Sequence, residues 1–166
     1  YKYGGGIVKQ VNNFNTLFRE APQNLEAGTQ NIAGVIGMSE AIRFIREIGL
    51  KNIRTQELRL KKYLQSKLEK IEGITIYHAH NSLELNNLFA SPIFSFNVNN
   101  IHHYDLGVLL AEKNILVRSG DLCSQTFMKV LSVNGCVRAS LSFYNTEAEI
   151  DYFILSLQKV IKLLNH

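Results

Sequence analysis

A cysteine lies on a turn between two arginine-bearing, strand-like segments, and this arrangement constrains the fold more than any other feature of the sequence. The apolar run at residues 114–117 ends at Arg118 and a glycine turn, and Cys123 follows at once. After a short amphipathic piece, a second strand-like run carries Arg138. A loop of this kind needs two strands to hold it, and it presents a thiol near guanidinium groups. The pattern indicates a nucleophile placed for an anionic substrate.

Composition excludes several classes of protein. The 166 residues suffice for a substantial core, and 46% hydrophobic with 19% charged residues is typical of globular chains. The excess of 18 basic over 14 acidic residues is mild and scattered, so we expect no nucleic-acid partner. No apolar run approaches the roughly 20 residues of a membrane span, and no signal peptide is visible, which favours a soluble, cytoplasmic protein without a membrane partner.

The start of the chain predicts a piece of a longer protein. Tyr1 is not an initiating methionine, and Gly4, Gly5 and Gly6 follow almost immediately. Three successive glycines favour a turn or a close backbone approach, because they cost too much entropy inside a helix or strand. Residues 8–21 are rich in asparagine and weakly periodic, so we expect an irregular segment there.

The rest of the chain alternates helical and strand-like patterns. The helical segments are residues 32–48, 52–71, 102–113, 124–131 (a short helix or turn) and 146–164. The strand-like segments are residues 74–77, 92–98, 116–118 and 136–143. This order predicts an α+β fold, a small mostly antiparallel sheet with helices packed on one face.

Each candidate functional residue has a structural alternative. Cys123 is either a nucleophile or a small core residue, and the adjacent Asp121 disfavours its thiolate. Arg118 and Arg138 bind either a carboxylate or phosphate of a ligand or an acidic side chain of the protein. Cys136, in a strand beside valines, is expected in the core.

The remaining polar candidates are a threonine and two pairs of histidines. Thr29 precedes a helix N-terminus, where it can bind an anion, although Thr29 or Asn31 can equally cap the helix. His78 and His80 lack a third metal ligand nearby and are assigned to a surface loop. The pair at 102–103 is expected to be exposed in a first helical turn. We therefore predict no metal site.

The motifs together resemble the C-terminal part of a cysteine desulfurase of the SufS/CsdA type, in the class V aminotransferase family of fold-type I pyridoxal-phosphate enzymes. The resemblance runs in the family's order over essentially the whole chain. The motifs are GGG at 4–6, EAGTQNIAG at 26–34, RSGxxC at 118–123 and RASLxxYNT at 138–146. The short interval from Cys123 to Arg138 is closer to the SufS group than to the IscS group.

This resemblance implies a role for each candidate. Residues 1–31 would end a large cofactor domain, and residues 32–166 would form the C-terminal small domain. Cys123 would attack the substrate sulfur and become a persulfide as L-alanine leaves. Arg138 would hold the carboxylate of L-cysteine or L-selenocysteine, with Arg118 supporting the loop. Thr29 would contact the phosphate of pyridoxal 5'-phosphate in the neighbouring subunit of a homodimer, and a SufE- or SufU-like acceptor would take the sulfur for iron–sulfur cluster assembly.

The chain also departs from the family pattern. Asp121-Leu122 replaces the usual histidine-containing pair before the cysteine, and SQTF at 124–127 replaces a usual Ala-x-Pro-Leu/Met. The Schiff-base lysine of the family lies upstream of the glycine turn, so the isolated fragment is expected to be inactive.

Two other functions fit the sequence. One is a different class V transaminase or lyase in which Cys123 is incidental. The other is a non-catalytic interaction or sulfur-accepting module.

Overall fold

The computed structural model describes residues 4–77 and 91–165 of the chain. The chain divides into two compact units, Tyr1–Gly49 and Leu50–His166. The division after residue 31 that the family resemblance implies stays a prediction. His78 and His80 lie outside the described residues, and so does the prediction made for them.

The first unit contains a hairpin that the sequence pattern did not indicate. Strands β1 (Val8–Val11) and β2 (Thr16–Phe18) pair antiparallel, so the prediction of an irregular segment at 8–21 is wrong. The turn is made by Asn12, whose Oδ1 accepts the N–H groups of Phe14 and Asn15 at 3.1 and 2.8 Å. Most side chains of both strands are exposed. Because the strands bury almost no apolar surface, they show no alternation of apolar and polar residues.

Helix α1 (Ile32–Ile48) follows as predicted. Asn31 is its N-cap, and the Asn31 Oδ1 accepts the Gly34 N–H at 3.0 Å. The helix ends at Gly49, whose φ of 87° is accessible to glycine at little cost. Of the two capping candidates, Asn31 is therefore the cap and Thr29 is not.

The second unit is a four-stranded antiparallel sheet with helices. The elements are α2 (Leu50–Leu68), β3 (Ile74–Tyr77), β4 (Ile93–Val98), α3 (His103–Ala111), β5 (Arg118–Gly120), α4 (Gln125–Val130), β6 (Cys136–Ser140) and α5 (Glu147–Leu164). The strand order is β3-β4-β6-β5. The strand predicted at 116–118 lies two residues later, at 118–120, and the strand predicted at 136–143 ends at Ser140.

The helices α2, α3 and α5 cover one face of this sheet. Alternate residues of the central strands, Phe96 and Val137 among them, are fully buried against these helices. Phe96 meets Phe153 of α5 edge to face, with ring centroids 6.4 Å apart. The core also contains Leu64 of α2 and Leu110 of α3. The predicted α+β fold with helices on one face is confirmed.

Two smaller features fit the sequence pattern in part. The helix predicted at 146–164 is α5, and Thr146 and Glu149 form a capping box at its start. His102 is exposed and caps α3, whereas His103 is half-buried, so the expectation that both are exposed is wrong for His103. In the described part of the chain, the helices are too short or too polar to cross a membrane.

Candidate active site

The sheet face opposite the helices carries polar side chains, and we call it the polar face. Because side chains alternate along a strand, these residues lie between the core positions in sequence and project to the opposite face. They are Thr75, Tyr77, Ser95, Asn97, Arg118, Cys136 and Arg138. Two predicted site residues, both arginines, therefore share one surface of the second unit.

The two arginines occupy directly opposite positions on neighbouring strands. Arg118 of β5 pairs in register with Arg138 of β6, and paired residues project to the same face. Like charges at such positions destabilise a sheet unless an anion lies between or beside them. The pairing therefore favours an anion-binding site at this end of the polar face.

Arg138 supports an anion site by a second observation. Its Nε is buried, and among residues 4–77 and 91–165 it has no hydrogen-bond partner. A buried guanidinium N–H without a partner costs free energy, which a carboxylate bound in a bidentate manner would recover. The structural alternative, an ion pair of Arg138 with an acidic side chain, is not observed within the described residues.

Cys123 is exposed and lies beside the first of these arginines. The Arg118 Nη2 donates to the Cys123 Sγ over 3.6 Å, a distance typical of hydrogen bonds to sulfur. The Cys123 side chain is exposed to solvent and is not packed into the core. Of the two alternatives for this cysteine, the core position is therefore excluded.

The loop that carries Cys123 has an unusual backbone. Leu122 and Cys123 both have positive φ, 55° and 58°, which L-amino acids rarely adopt. The Asp121 carboxylate accepts the Cys123 N–H at 3.0 Å and the Gln125 Nε2–H at 3.0 Å. These bonds, the Cys123 N–H first, lower the pKa of Asp121, and the charge of Arg118 acts in the same direction. Asp121 is thus ionised at neutral pH with both oxygens engaged.

The other cysteine has the role expected from its strand. Cys136 is fully buried, and burial raises the pKa of its thiol, although a hydrogen bond with Ser95 and the charge of Arg138 act in the opposite direction. A buried, protonated thiol is a poor nucleophile. Cys123 is therefore the better candidate for chemistry.

His103 lies at the base of the same loop. A Cβ built on Gly135 would lie 2.5 Å from the His103 Nε2 and 2.9 Å from the Gly120 carbonyl oxygen, so only glycine fits there. Burial, and then the charge of His102, lower the pKa of His103. The neutral ring therefore packs where β5 ends and β6 begins.

Thr29, the candidate phosphate ligand, belongs to the first unit. It is exposed, and its hydroxyl has no hydrogen-bond partner in the described part of the chain. It precedes the α1 N-terminus by three residues, where backbone N–H groups favour an anion. One hydroxyl beside a helix N-terminus fits a phosphate as a single ligand and cannot hold a cofactor alone.

The structure thus brings Cys123, Arg118 and Arg138 together in the second unit. From the sequence, Asp121 was expected only to oppose the thiolate by its charge, whereas in the structure it binds Cys123 and Gln125. The available signal was the residue type, because Asp in a glycine turn commonly accepts the backbone N–H two residues later, as in an Asx turn.

A family model and the sequences of known relatives indicate the same family. The aminotransferase class-V family model matches residues 1–153. The cysteine desulfurase of Wigglesworthia glossinidia brevipalpis is 40% identical over 162 residues, which are 97% of this chain and 38% of that protein. This chain therefore spans less than two-fifths of the length of such relatives.

Solved structures of similar proteins agree. The apo cysteine desulfurase of Thermococcus onnurineus NA1 matches 96% of this chain and 38% of its own, with a TM-score of 0.82 and 36% identity. The cysteine desulfurase CsdA of Escherichia coli, in an S-sulfonic acid form, matches 98% of this chain and 39% of its own, with a TM-score of 0.83 and 29% identity. With the family model matching over nine-tenths of its length, the chain belongs to the class V aminotransferase family.

Proposed function

We propose that the full-length protein is a pyridoxal-phosphate-dependent cysteine desulfurase, and that this chain is its C-terminal portion. The observation that carries the proposal is the exposed Cys123 thiol, which contacts Arg118. Arg118 is itself paired in register with Arg138 on the neighbouring strand. A thiol nucleophile next to a carboxylate-binding arginine is what sulfur abstraction from an amino acid requires. Similarity to cysteine desulfurases over nearly the whole chain supports the same reaction.

The chemistry assigned to Cys123 is a sulfur transfer. Its thiolate attacks the sulfur of L-cysteine, so an S–S bond forms while the substrate Cβ–S bond breaks. The electron pair of the broken bond passes to the substrate carbon, which takes up a proton and leaves as L-alanine. Cys123 retains the sulfur as a persulfide. Bound pyridoxal phosphate supplies the electron sink that makes the carbon an acceptable leaving group.

The arginines have separate roles in this proposal. Arg138, with its unpartnered Nε, binds the substrate carboxylate and so fixes the position of the substrate sulfur. Arg118 contacts Sγ and stabilises the negative charge of the attacking thiolate and of the persulfide. Arg118 therefore has two roles: it stabilises the charge of the nucleophile and it supports the loop.

The wider assignments follow from the family resemblance. Thr29 contributes a hydroxyl to the cofactor phosphate of the neighbouring subunit in a homodimer. The persulfide passes to a SufE- or SufU-like acceptor for iron–sulfur cluster assembly in the cytoplasm, and L-selenocysteine is a second substrate. The family resemblance supports these roles, and the exposed Thr29 hydroxyl fits the first of them.

Trapping of the persulfide tests the proposal. Full-length protein is incubated with L-cysteine, alkylated, digested and analysed by mass spectrometry. We expect one extra sulfur on the peptide that contains Cys123 and none on the peptide that contains Cys136, which is buried. A transaminase or lyase in which Cys123 is incidental would leave both peptides without an extra sulfur.

A further inference from the structure

The left-handed backbone at the nucleophile needs a cause within the loop. Leu122 and Cys123 both carry a Cβ, and positive φ brings that atom close to the following carbonyl oxygen. Such conformations persist where neighbouring groups hold them, and they are common at sites where function requires a fixed geometry. The groups that hold this segment belong largely to Asp121.

Asp121 supplies three hydrogen-bond acceptors to the next four residues. Its Oδ1 accepts the Cys123 N–H at 3.0 Å, its Oδ2 accepts the Gln125 side-chain amide at 3.0 Å, and its backbone carbonyl accepts the Ser124 N–H at 2.9 Å. Ser124 in turn accepts the N–H of Met128, which is buried and anchors α4. Asp121 thus connects the nucleophile, through hydrogen bonds, to the start of α4 and its buried Met128.

The bonds of Asp121 decide between two roles for its carboxylate. A proton donor or acceptor for the thiol needs an oxygen directed at Sγ. Here one carboxylate oxygen faces the Cys123 backbone N–H and the other faces the Gln125 amide, while Sγ is in contact with the Arg118 Nη2. The carboxylate therefore acts on the backbone, and Arg118 acts on the sulfur.

We propose that Asp121 is a positioning residue that fixes the backbone of Leu122 and Cys123 so that the Cys123 Sγ faces Arg118. This inference rests on the proposed function for its consequence in catalysis, but the geometry itself is independent of the reaction. Asp121 has this effect through hydrogen-bond acceptance and not through its charge.

Substitution of Asp121 by asparagine and by alanine separates acceptance from charge. Both changes remove the negative charge, but only asparagine keeps an oxygen that can accept the Cys123 N–H. The first measurement is the rate of Cys123 alkylation by iodoacetamide at neutral pH in full-length protein, without substrate. We expect Asp121→Asn to remain within about twofold of the wild type and Asp121→Ala to be slowed about tenfold, equivalent to ~1.4 kcal/mol.

The second measurement is L-alanine formation from L-cysteine. We expect kcat of Asp121→Ala to fall by about the same factor, with KM within about twofold, because the substrate carboxylate is held by Arg138. Glu112→Ala, which removes an exposed carboxylate of the same unit, is the matched control and should change neither measurement by more than about twofold.

The results that overturn the inference differ from those that overturn the proposed function. Equal alkylation rates of Asp121→Asn and Asp121→Ala would show that hydrogen-bond acceptance by the side chain of residue 121 does not affect the thiol, and would exclude the positioning role. If Asp121→Ala unfolds, the buried Cys136 becomes alkylated too, and Asp121→Asn alone then decides. Because asparagine keeps the acceptor for the Cys123 N–H, a folded Asp121→Asn protein whose alkylation is slowed about tenfold would contradict the inference. A protein that shows the Asn/Ala contrast but forms no alanine would retain the positioning role and reject the desulfurase.

Discussion

The cross-strand pair of arginines is the strongest sign of a ligand at the scale of single residues. Arg118 and Arg138 pair in register, and the Arg138 Nε is buried without a partner among the described residues. Both features cost free energy in the unliganded chain. A bound substrate anion would offset both costs. Substitution of the arginines one at a time tests this.

Arg138→Lys is expected to weaken substrate binding in the full-length protein. Lysine keeps the positive charge but cannot bind a carboxylate through two parallel N–H groups. Loss of one charged hydrogen bond is worth about 1.5–3 kcal/mol, so KM for L-cysteine should rise about 10- to 100-fold. Steady-state kinetics provide the measurement. Arg59→Lys, at an exposed arginine 3.6 Å from Glu147, is the control and should alter KM by less than about twofold.

At the scale of secondary structure, the start of α5 depends on a capping box. The Thr146 Oγ1 accepts the Glu149 N–H at 3.2 Å, and a Glu149 carboxylate oxygen accepts the Thr146 N–H at 2.7 Å. Thr146→Ala should reduce the free energy of unfolding by about 1 kcal/mol, and Thr146→Ser should have almost no effect. Urea unfolding monitored by circular dichroism tests this, and equal stability of the alanine and serine variants would contradict the role of the cap.

The packing of α2 on α5 includes a pH-dependent contact. The Tyr63 hydroxyl donates to the Asp151 carboxylate at 3.0 Å, and the Lys67 Nζ lies 2.9 Å from it. The Lys67 bond first, and then the Tyr63 bond, lower the pKa of Asp151 below its ordinary 3.8. A lowered carboxyl pKa stabilises the folded state above the ordinary value, and this contribution is lost as the pH falls through the lower folded-state pKa.

Asp151→Asn should therefore destabilise the protein at neutral pH and matter progressively less below pH 3.8. The free energies of unfolding of the two proteins, measured by denaturant titration across this range, should converge in acid. Glu112→Gln, an exposed carboxylate, is the comparison. A destabilisation by Asp151→Asn that does not change with pH would show that Asp151 acts through packing and not through its charge.

Elements with clear cap residues or a buried apolar stripe could be predicted from the sequence, and elements that have neither could not. Helix α1 has its predicted start and end, because Asn31 and Gly49 give local cap signals. The β1–β2 hairpin was missed, since its order comes from Asn12 side-chain bonds and not from burial. The same distinction holds in the site, where residue types indicated Cys123 and Arg138, but the role of Asp121 depends on a backbone conformation.

At the scale of the whole molecule, the apolar core lies within the second unit. Its members run from Leu60 to Val160, whereas no residue of α1 is buried. A chain of residues 50–166 should therefore fold alone and unfold in a single cooperative thermal transition. Differential scanning calorimetry of this shorter chain is the measurement. A broad transition without a heat-absorption peak would show that residues 1–49 are required for the core.

The 166-residue chain by itself should not bind pyridoxal phosphate stably. It spans about 38% of the Wigglesworthia relative, and the one cofactor ligand assigned to it is the Thr29 hydroxyl. Purified chain mixed with the cofactor and dialysed should be colourless and form no alanine from cysteine. A yellow preparation whose colour is abolished by borohydride would contradict this and would place the cofactor lysine within these residues.

The central claim is that Cys123 accepts sulfur from the substrate, and alanine formation by full-length Cys123→Ala tests it most directly. We expect the rate of L-alanine formation from L-cysteine to fall by more than about 100-fold, because the nucleophile is lost. Cys136→Ala, which removes the buried thiol, should stay within about threefold of the wild type as long as the protein folds. Alanine formation by Cys123→Ala at the wild-type rate would contradict the claim.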